Sequence, residues 1–577
     1  MTARLSLPDG HPNGSPATNF LRVPPFPRSK PAPFAGRHAP VTGVPRAESS
    51  PEAAAMICRQ LLENRVGGDF WAPPILKLER PSHIMIPLTL EQASAMHAAL
   101  VTESKLPKLA IVRPGPAAKH IAAWFHAQGV PVQSGPVDPW SVPDDRLSLL
   151  TAADDECAIV AQLRGLPVRR FGIAGGAELT TPQPGANETA QRHILSQHDY
   201  WDCFTGAACS PCAFINQLGA WRAQIDQNRA IGAAIGIAGW KRREIETFFW
   251  AGRAQPLMFH RSPARALRAA ATAKAAIAAW PSRVAPSLFA DAAASGIAVH
   301  QVEDGFIRSV GLGSGLHPPQ SIVVDPVGIY YDPTRASALE QVLQSQDFSP
   351  ALIARAEALV AVIISAGISK YAAGRDQIEA LPRAGRRVLV TGQVEDDRSV
   401  LLGGGNVTGN IDLLQRARAA EPDSFLMFKP HPDVEAGHRK GAISDSECLK
   451  FADLVVRDVS MAALLDSVDA VHVWTSLAGF EALLRRREVI VHGQPFFAGW
   501  GLTRDLAEKV SRRTRQLSLM ELVAGTLLVY PRYLDPVTNL PCTPELLISR
   551  MAHPQFQQRT LLTRVRAFQG QINRWFQ

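Results

Sequence analysis

Residues 471–503 have the sequence VHVWTSLAGFEALLRRREVIVHGQPFFAGWGLT, which predicts one complete β-α-β unit. The β-branched and aromatic start, residues 471–474, is typical of a buried parallel strand, and a second such run follows at residues 489–491. Between them lies a segment with helical spacing of its apolar residues. Thr475 and Ser476 precede this helix, where a hydroxyl can cap the first turn and its N–H groups attract phosphate. The pattern suits a nucleotide-phosphate seat, although a purely structural β-α-β unit shows it too.

Length and composition limit the class of protein. The chain has 577 residues, which allows two or three folded domains. Its seven cysteines are odd in number and mostly scattered, which favours a reducing compartment over a disulfide scaffold and predicts no metal site. The sequence shows no pattern of a signal peptide and no apolar segment long enough to span a bilayer. We therefore expect a soluble, cytoplasmic protein.

The formal net charge of +8 is spread along the chain. A basic balance suits anionic partners such as nucleotide sugars, acidic glycans or a lipid surface. Nucleic acid is not an expected partner, because the sequence contains no recognisable nucleic-acid motif. Solvated arginines in an arginine-rich protein would explain much of the same charge.

An internal repeat distinguishes structural residues, which both copies share, from candidate functional residues, which only the later copy has. Residues 200–211 match residues 533–544 without a gap, and residues 163–172 match residues 484–493 in the same order. The early copy resembles only the back half of the later module. Its Gly115 stands where the later copy has His431, so we interpret the early copy as catalytically silent.

Alternating predicted strands and helices indicate parallel sheets covered by helices. The predicted fold class is α/β and GT-B-like, with two Rossmann-type domains, a cleft between them, and a truncated, degenerate copy of the second half of the module in front. The predicted segments are a disordered Pro-rich segment at residues 1–75, the degenerate half-module at 76–229, an acceptor-side α/β domain at 230–385, a nucleotide-side α/β domain at 386–550, and a basic amphipathic helix at 551–577. Within the acceptor-side domain we predict strands at 248–250, 297–302 and 329–331, and an Ala-rich helix at 265–280.

Acidic residues follow two of the predicted strands. Glu303 and Asp304 come directly after the strand at 297–302, where a carboxylate can act as a general acid or base. An acidic turn would look the same. Residues 395–397 are three consecutive carboxylates, which repel one another and need a cation, a metal or a functional use unless they lie in a solvated loop.

A cation, an imidazole and two hydroxyls also follow predicted strands. Lys429, His431 and Pro432 come after the strand at 425–428, and Thr475 and Ser476 follow the strand described first. Because the carboxyl ends of parallel strands meet at one edge of a sheet, these residues together predict a phosphate site.

Five segments in the same order resemble the capsule polysaccharide biosynthesis proteins of the KpsC/LipA type, which are bacterial β-Kdo transferases. They are EDGFIRSVGLG (303–313), GQVEDD (392–397), KPHPD (429–433), WTSLAGFEAL (474–483) and FAGWGLT (497–503). The resemblance covers roughly residues 248–544. Members commonly carry two tandem modules, whereas the first copy here is truncated and lacks the acidic and His-Pro motifs. We therefore expect a single active site.

The resemblance implies a glycosyltransferase that uses CMP-Kdo as donor substrate and needs neither a cofactor nor a metal. The expected acceptor is a lipid-linked or glycan acceptor at the inner membrane face. Net retention implies a double displacement with two carboxylates. Asp397 is then the expected nucleophile, and Glu303, or its neighbour Asp304, the acid/base.

The resemblance also implies the roles of the remaining site residues. Kdo carries a carboxylate at its anomeric centre, and the cations expected to neutralise it are Arg308, Arg398 or Lys429. The residues expected to hold CMP are Lys429, His431, Pro432, Thr475, Ser476 and Glu481.

Two other functions fit parts of the pattern. A sugar-nucleotide epimerase or hydrolase would use similar domains and carboxylates, and a capsule export or assembly protein could bind nucleotide without catalysis. The basic amphipathic stripe in residues 555–577 suits an anionic membrane surface, and hence a peripheral location at the inner membrane beside capsule assembly machinery, or packing back onto the domain.

Overall fold

Parallel strands dominate the computed structural model of the chain. It describes residues 20–31, 50–103, 106–146, 148–153, 155–172, 176–179, 184–195, 199–252, 256–307, 318–368, 385–435, 437 and 439–552. The described residues form two compact units. Unit 1 covers residues 20–26, 31 to 228 and 251–252, and unit 2 covers residues 27–30, 229–250 and 256–552.

Unit 1 contains a parallel sheet and a short antiparallel hairpin. Its strands are β1 (His83–Ile86), β2 (Lys108–Val112), β3 (Val132–Ser134), β4 (Ser148–Ala152), β5 (Arg169–Phe171), β6 (Tyr200–Trp201) and β7 (Ala208–Cys209). Its helices are α1 (Pro51–Asn64), α2 (Leu90–Glu103), α3 (Ala118–Ala127), α4 (Glu156–Leu163), α5 (Ala186–Ala190) and α6 (Pro211–Arg229). The described parallel strands lie in the order β3-β2-β1-β4-β5, and apolar clusters cover both faces of the sheet.

Helix α1 corrects the prediction that residues 1–75 are disordered. That prediction is wrong for residues 20–31 and 50–75, because proline begins the helix here instead of preventing it. Ser50 caps the helix and Pro51 occupies the first turn, where its missing N–H group is not needed. The apolar residues of α1 then recur at helical spacing and are buried: Ala54, Ile57, Cys58 and Leu61. Residues 1–19 and 32–49 lie outside the described residues.

Unit 2 contains two sheets. Its strands are β8 (Ile231–Ile235), β9 (Phe259–His260), β10 (Ala276–Ala279), β11 (Val299–Asp304), β12 (Ser321–Asp325), β13 (Arg387–Thr391), β14 (Phe425–Lys429), β15 (Leu454–Val455), β16 (Ala470–Val473), β17 (Glu488–Val491), β18 (Arg504–Asp505), β19 (Pro531–Leu534) and β20 (Pro541–Cys542). Its helices are α7 (Arg242–Phe248), α8 (Pro263–Ala273), α9 (Ser287–Ala294), α10 (Ala338–Ser345), α11 (Pro350–Ser365), α12 (Arg398–Gly403), α13 (Asn410–Ala420), α14 (Pro432–Glu435), α15 (Asp445–Cys448), α16 (Met461–Ser467), α17 (Leu477–Leu484), α18 (Leu519–Val523) and α19 (Pro544–Ala552).

Unit 2 has two halves, each built on one sheet. Among the described strands, those of the first sheet run in mixed directions and those of the second sheet are all parallel. The second sheet has the order β15-β14-β13-β16-β17-β18, which is the Rossmann order 3-2-1-4-5-6 counted from β13. The first sheet has the order β20-β19-β12-β11-β10-β8-β9, in which β12 runs antiparallel to both β11 and β19. The chain therefore returns through β19 to its first sheet. The predicted GT-B-like fold class is confirmed, with a first sheet that is mixed.

Three local predictions in the first half are wrong. Residues 242–248 form α7, so the strand predicted at 248–250 is the end of a helix. The helix predicted over 265–280 ends at Ala273, because Lys274 adopts a left-handed conformation and the buried residues 276–279 form β10. Residues 329–331 form a turn that no described strand includes.

An aromatic cluster joins the two halves of unit 2. Phe306, which follows β11, contacts Tyr330 and Phe496, with both pairs of ring centroids 4.7 Å apart. Tyr530 also packs on Phe306, and its hydroxyl donates to Asp325 over 2.8 Å. Aromatic pairs at such distances add packing energy beyond the area that they bury. The cluster fixes the end of β11 against the loop that follows β17.

The internal repeat is confirmed by matching local structure in the two units. A π-helical turn precedes the hairpin in each copy, at Gln191–Leu195 and at Ala524–Val529. The hydroxyls of Tyr200 and Tyr533 then donate to the carbonyl six residues earlier, at 3.2 and 2.8 Å. Features kept in both copies therefore belong to the scaffold.

Within the described residues, no single helix is both long enough and apolar enough to cross a membrane. Helices α10 and α11 reach the threshold only as a pair, and they are bent by 120° relative to each other. The amphipathic helix predicted at 551–577 falls almost wholly outside the described residues, of which α19 contains only Met551 and Ala552.

Two histidines are buried between α13 and the second sheet of unit 2. His472 Nδ1 and His492 Nε2 lie 2.9 Å apart, and neither side chain reaches solvent appreciably. Burial lowers the pKa of His472 to about 4, against the opposing charge of Glu421. Burial, followed by the charges of His472 and Arg416, lowers the pKa of His492 to about 4. Both rings are therefore neutral in the folded protein.

This pair predicts acid sensitivity of unit 2. An unfolded histidine binds its proton near pH 6.5, so the unfolded state binds more protons than the folded state between pH 6.5 and about 4. The free energy of unfolding should fall by about 2 kcal/mol per histidine from pH 7 to pH 5. Urea unfolding at the two pH values measures this. His492→Gln should flatten the dependence, while the same change at exposed His126 should leave it intact; equal slopes in all three proteins would contradict the account.

Candidate functional site

The order of strands in the second sheet reverses between β13 and β16, and the side chain of Gln393 spans this switch point. Gln393 follows β13, and Thr475 follows β16. The Gln393 amide donates to Thr475 Oγ1 over 2.9 Å, while its carbonyl oxygen accepts the Thr475 N–H at 2.6 Å. Both residues are buried. Ligands of open α/β sheets bind at such a point, outside the carboxyl ends of the strands.

Ser476 begins α17 beside this bridge. Its Oγ accepts the N–H of Ala478 at 3.2 Å, while no described residue accepts its hydroxyl proton. A capping serine in this state can donate to a phosphate at the start of the helix. Glu481 is buried further along α17, and its predicted contact with CMP stays a prediction.

Lys429 is the last residue of β14, and His431 follows that strand. Lys429 Nζ donates to the carbonyls of Arg457 and Val459, at 2.7 and 2.9 Å, which leaves one N–H group without an acceptor among the described residues. Burial lowers the pKa of Lys429, against opposing charges of Glu435 and Asp458. His431 Nδ1 accepts the Asp433 N–H at 3.1 Å, so the neutral ring carries its proton on Nε2. Pro432 starts α14.

The three consecutive carboxylates point to three different partners. Glu395 accepts the N–H of Asn410 at 2.9 Å, and Asp396 pairs with the exposed Arg439 at 3.1 Å. Asp397 caps α12 through Oδ1, which leaves Oδ2 without a partner in the described part of the chain. Each carboxylate therefore has its own partner, and no group of three or more His, Cys, Asp or Glu suited to a metal ion occurs among the described residues.

A chain of hydrogen bonds connects Asp397 to the switch point. Ser399 Oγ donates to Asp397 Oδ1 over 2.7 Å, and Thr475 Oγ1 donates to Ser399 Oγ over 3.2 Å. Since Gln393 donates to the same Thr475 oxygen, the hydroxyl proton and one lone pair of Thr475 are used within the protein, and its predicted contact with CMP stays a prediction. Its hydroxyl therefore positions neighbouring groups, and Gln393 and Ser399 are site residues that the sequence reasoning missed.

The adjacent carboxylates Glu303 and Asp304 lie on opposite faces of β11, as alternation along a strand requires. Asp304 is buried and pairs with Lys241 at 2.8 Å, and the ammonium lies 3.7 Å from the ring centre of Trp280. Glu303 shares its face with Val323, its partner on β12. The structure therefore places only Glu303 on the side of the aromatic cluster.

Tyr331 marks the place where predicted residues from both halves meet. Burial raises the pKa of Tyr331, the charges of Glu303 and Asp397 raise it further, and Arg398 opposes them. Glu303 comes from the first half, while Asp397 and Arg398 come from the second. The structure thus brings three predicted site residues around Tyr331, which the sequence reasoning had assigned to a strand. Arg308 lies outside the described residues.

Unit 1 has a different group at the corresponding helix start. Asp155 caps α4 as Ser476 caps α17, and Arg113 donates two hydrogen bonds to it, at 2.6 and 3.1 Å. A buried carboxylate repels phosphate, and the nearby cation is already paired with it. This agrees with the interpretation of unit 1 as a silent copy.

The pairing of Asp304 predicts a role in stability. Asp304→Asn leaves the buried ammonium of Lys241 without its counter-charge, which should lower the free energy of unfolding by about 3 kcal/mol in urea titrations. Adding Lys241→Met should recover part of the loss. The control Asp396→Asn breaks an exposed pair and should cost less than about 1 kcal/mol. An Asp304→Asn protein as stable as the control would contradict the assignment.

Comparisons with known proteins agree on one family. The family model described as "Capsule polysaccharide biosynthesis protein" matches residues 275–533. LipA, the capsule polysaccharide modification protein of Neisseria meningitidis serogroup A, is 36% identical over 417 residues, which is 68% of this chain and 59% of LipA. LpsZ, a lipopolysaccharide-processing protein of Rhizobium meliloti, is 44% identical over 243 residues, 41% of this chain and 55% of LpsZ.

A solved structure is also similar in sequence. The chain titled KpsC, β-Kdo 2,7 transferase, of Thermosulfurimonas dismutans is 32% identical and aligns with 55% of this chain and 97% of its own length, at a TM-score of 0.45. The present chain spans 59% of the length of LipA. Residues 275–533, which the family model matches, contain the switch point, the carboxylates and the phosphate-side residues described above. The chain belongs to the capsule polysaccharide biosynthesis proteins of the KpsC/LipA type.

Proposed function

We propose that unit 2 is a retaining glycosyltransferase that transfers Kdo from CMP-Kdo to a glycan or glycolipid acceptor of capsular polysaccharide. One observation carries the proposal: hydrogen bonds through Ser399 and Thr475 connect Asp397, whose Oδ2 has no partner among the described residues, to the switch point. Two carboxylates beside a nucleotide seat are what double displacement at a sugar carbon requires. The identity of the sugar rests on the resemblance of the five motifs.

The phosphate of CMP would lie at the ends of β14 and β16. Ser476 offers its hydroxyl proton and Lys429 the ammonium N–H that no described residue accepts, and His431 is the third residue expected to contact the phosphate. The ammonium at the end of β14 and the hydroxyl at the start of α17 suit a phosphodiester with a single negative charge.

The reaction would proceed in two displacements at the anomeric carbon. Oδ2 of Asp397 attacks that carbon as its bond to the phosphate oxygen breaks and CMP leaves. An acceptor hydroxyl then attacks the same carbon, Glu303 takes its proton, and the bond to Asp397 breaks. Two inversions give net retention. Asp304 takes no part in this scheme, because Lys241 already pairs with it.

The charge of Asp397 gives the sharpest mutational test. Asp397→Asn keeps a residue that caps α12 well, so the fold should be retained. Transfer of Kdo should fall by at least about a thousandfold. The matched control Asp396→Asn changes a neighbouring, exposed carboxylate and should retain the activity of the unmodified protein.

The assay should follow both CMP release and formation of the Kdo-acceptor product. Full transfer by Asp397→Asn would contradict the proposed nucleophile. Rapid CMP release without acceptor, and no product with acceptor, would instead favour a sugar-nucleotide hydrolase.

The proposed phosphate site predicts that His431 contributes to the binding of CMP. His431→Ala removes one of the proposed donors and should weaken CMP binding about tenfold in calorimetry. The exposed His126→Ala variant serves as the control and should bind CMP like the unmodified protein. An unchanged Kd in His431→Ala would place the phosphate elsewhere.

A further inference from the structure

Tyr331 has a buried hydroxyl that no described residue satisfies. The side chain is 8% exposed, and its Oη has no hydrogen-bond partner among the described residues. The Nε of Arg398 is buried and equally without a partner. Buried polar groups are nearly always paired, since an unpaired buried group loses its hydrogen bonds to water and gains no others. These two donors lie close enough to interact electrostatically, and together they can serve one ligand.

The charged groups near Tyr331 limit the chemical class of its ligand. Glu303, Asp397 and Arg398 all act electrostatically on the Tyr331 hydroxyl, although the guanidinium makes no hydrogen bond of standard geometry with it. Burial keeps that hydroxyl protonated, and it can therefore donate. The Arg398 guanidinium can only donate. The two groups can together donate to a ligand with acceptor oxygens, even though two carboxylates lie near them.

A sugar acid supplies such oxygens at this position. In a 2-keto sugar acid the carboxylate is bonded to the anomeric carbon, so attack by Asp397 brings two anions close together. Donors must then hold the substrate carboxylate, or repulsion would oppose the attack. A neutral sugar would leave both donors unpaired, which is how a polar site rejects a substrate that lacks the matching group.

We propose that Tyr331 binds the carboxylate of the donor sugar through its hydroxyl, in a pair with Arg398, and so selects sugar acids. The inference rests on the proposed function, and it adds Tyr331 as a residue that determines specificity.

Two tyrosine-to-phenylalanine variants test the inference. In Tyr331→Phe, kcat/KM for CMP-Kdo should fall about tenfold to a hundredfold, since a hydrogen bond to a charged group is lost. Its Kd for CMP should not change, and its Tm should not fall, because the hydroxyl has no partner in the described protein. The control Tyr533→Phe removes a hydroxyl that donates to Leu527, so its Tm should fall and its kcat/KM should hold.

Each other outcome has a definite meaning. An unchanged kcat/KM in Tyr331→Phe would overturn the inference, and so would a weakened Kd for CMP, which would place Tyr331 at the nucleotide. A fall in both Tm and kcat/KM, as for a packing defect, would overturn it as well. If the unmodified protein neither binds CMP nor transfers Kdo, the proposed function itself fails, and the two failures are thereby distinguished.

Discussion

The two hydrogen bonds between Gln393 and Thr475 are the interaction on which the site depends. They tie the loop after β13 to the end of β16, where the strand order reverses. Ser399 extends this bridge to Asp397, so a carboxylate on one loop is positioned by the end of another strand. Gln393 and Thr475 are buried, Ser399 and Asp397 are half-buried, and each uses another of the four as a partner, which favours a preorganised reaction site.

The two copies of the repeat share a scaffold and differ at the helix start that would face a phosphate. Both sheets share the order 3-2-1-4-5 in their described strands, and both copies keep the tyrosine that fastens the π-helical turn. Unit 1 nevertheless pairs Arg113 with Asp155 at the start of α4. This ion pair places a carboxylate at the helix end and uses Nε and Nη2 of the nearby arginine. Fold similarity within one chain therefore does not imply a second active site.

The sequence predicted which segments converge but not which way their side chains point. Motifs after successive strands were expected to meet, since parallel strands end at one edge. Glu303 and Asp304 could not be separated, because the alternation that divides them depends on β11 extending through Asp304. The turn at Tyr331 was not predicted, because its β-branched and aromatic neighbours favour a strand. Strand β10 was not predicted, because its alanine-rich sequence favours a helix, whereas burial in the sheet favours the strand.

A direct measurement of the central claim is the site of a covalent sugar adduct. In Glu303→Gln the second displacement lacks its base, so CMP-Kdo without acceptor should leave Kdo attached to the enzyme. Peptide mass spectrometry of the full chain should find this adduct on Asp397 and on no peptide of unit 1. An adduct on Glu395, on Asp396 or within unit 1 would contradict the account.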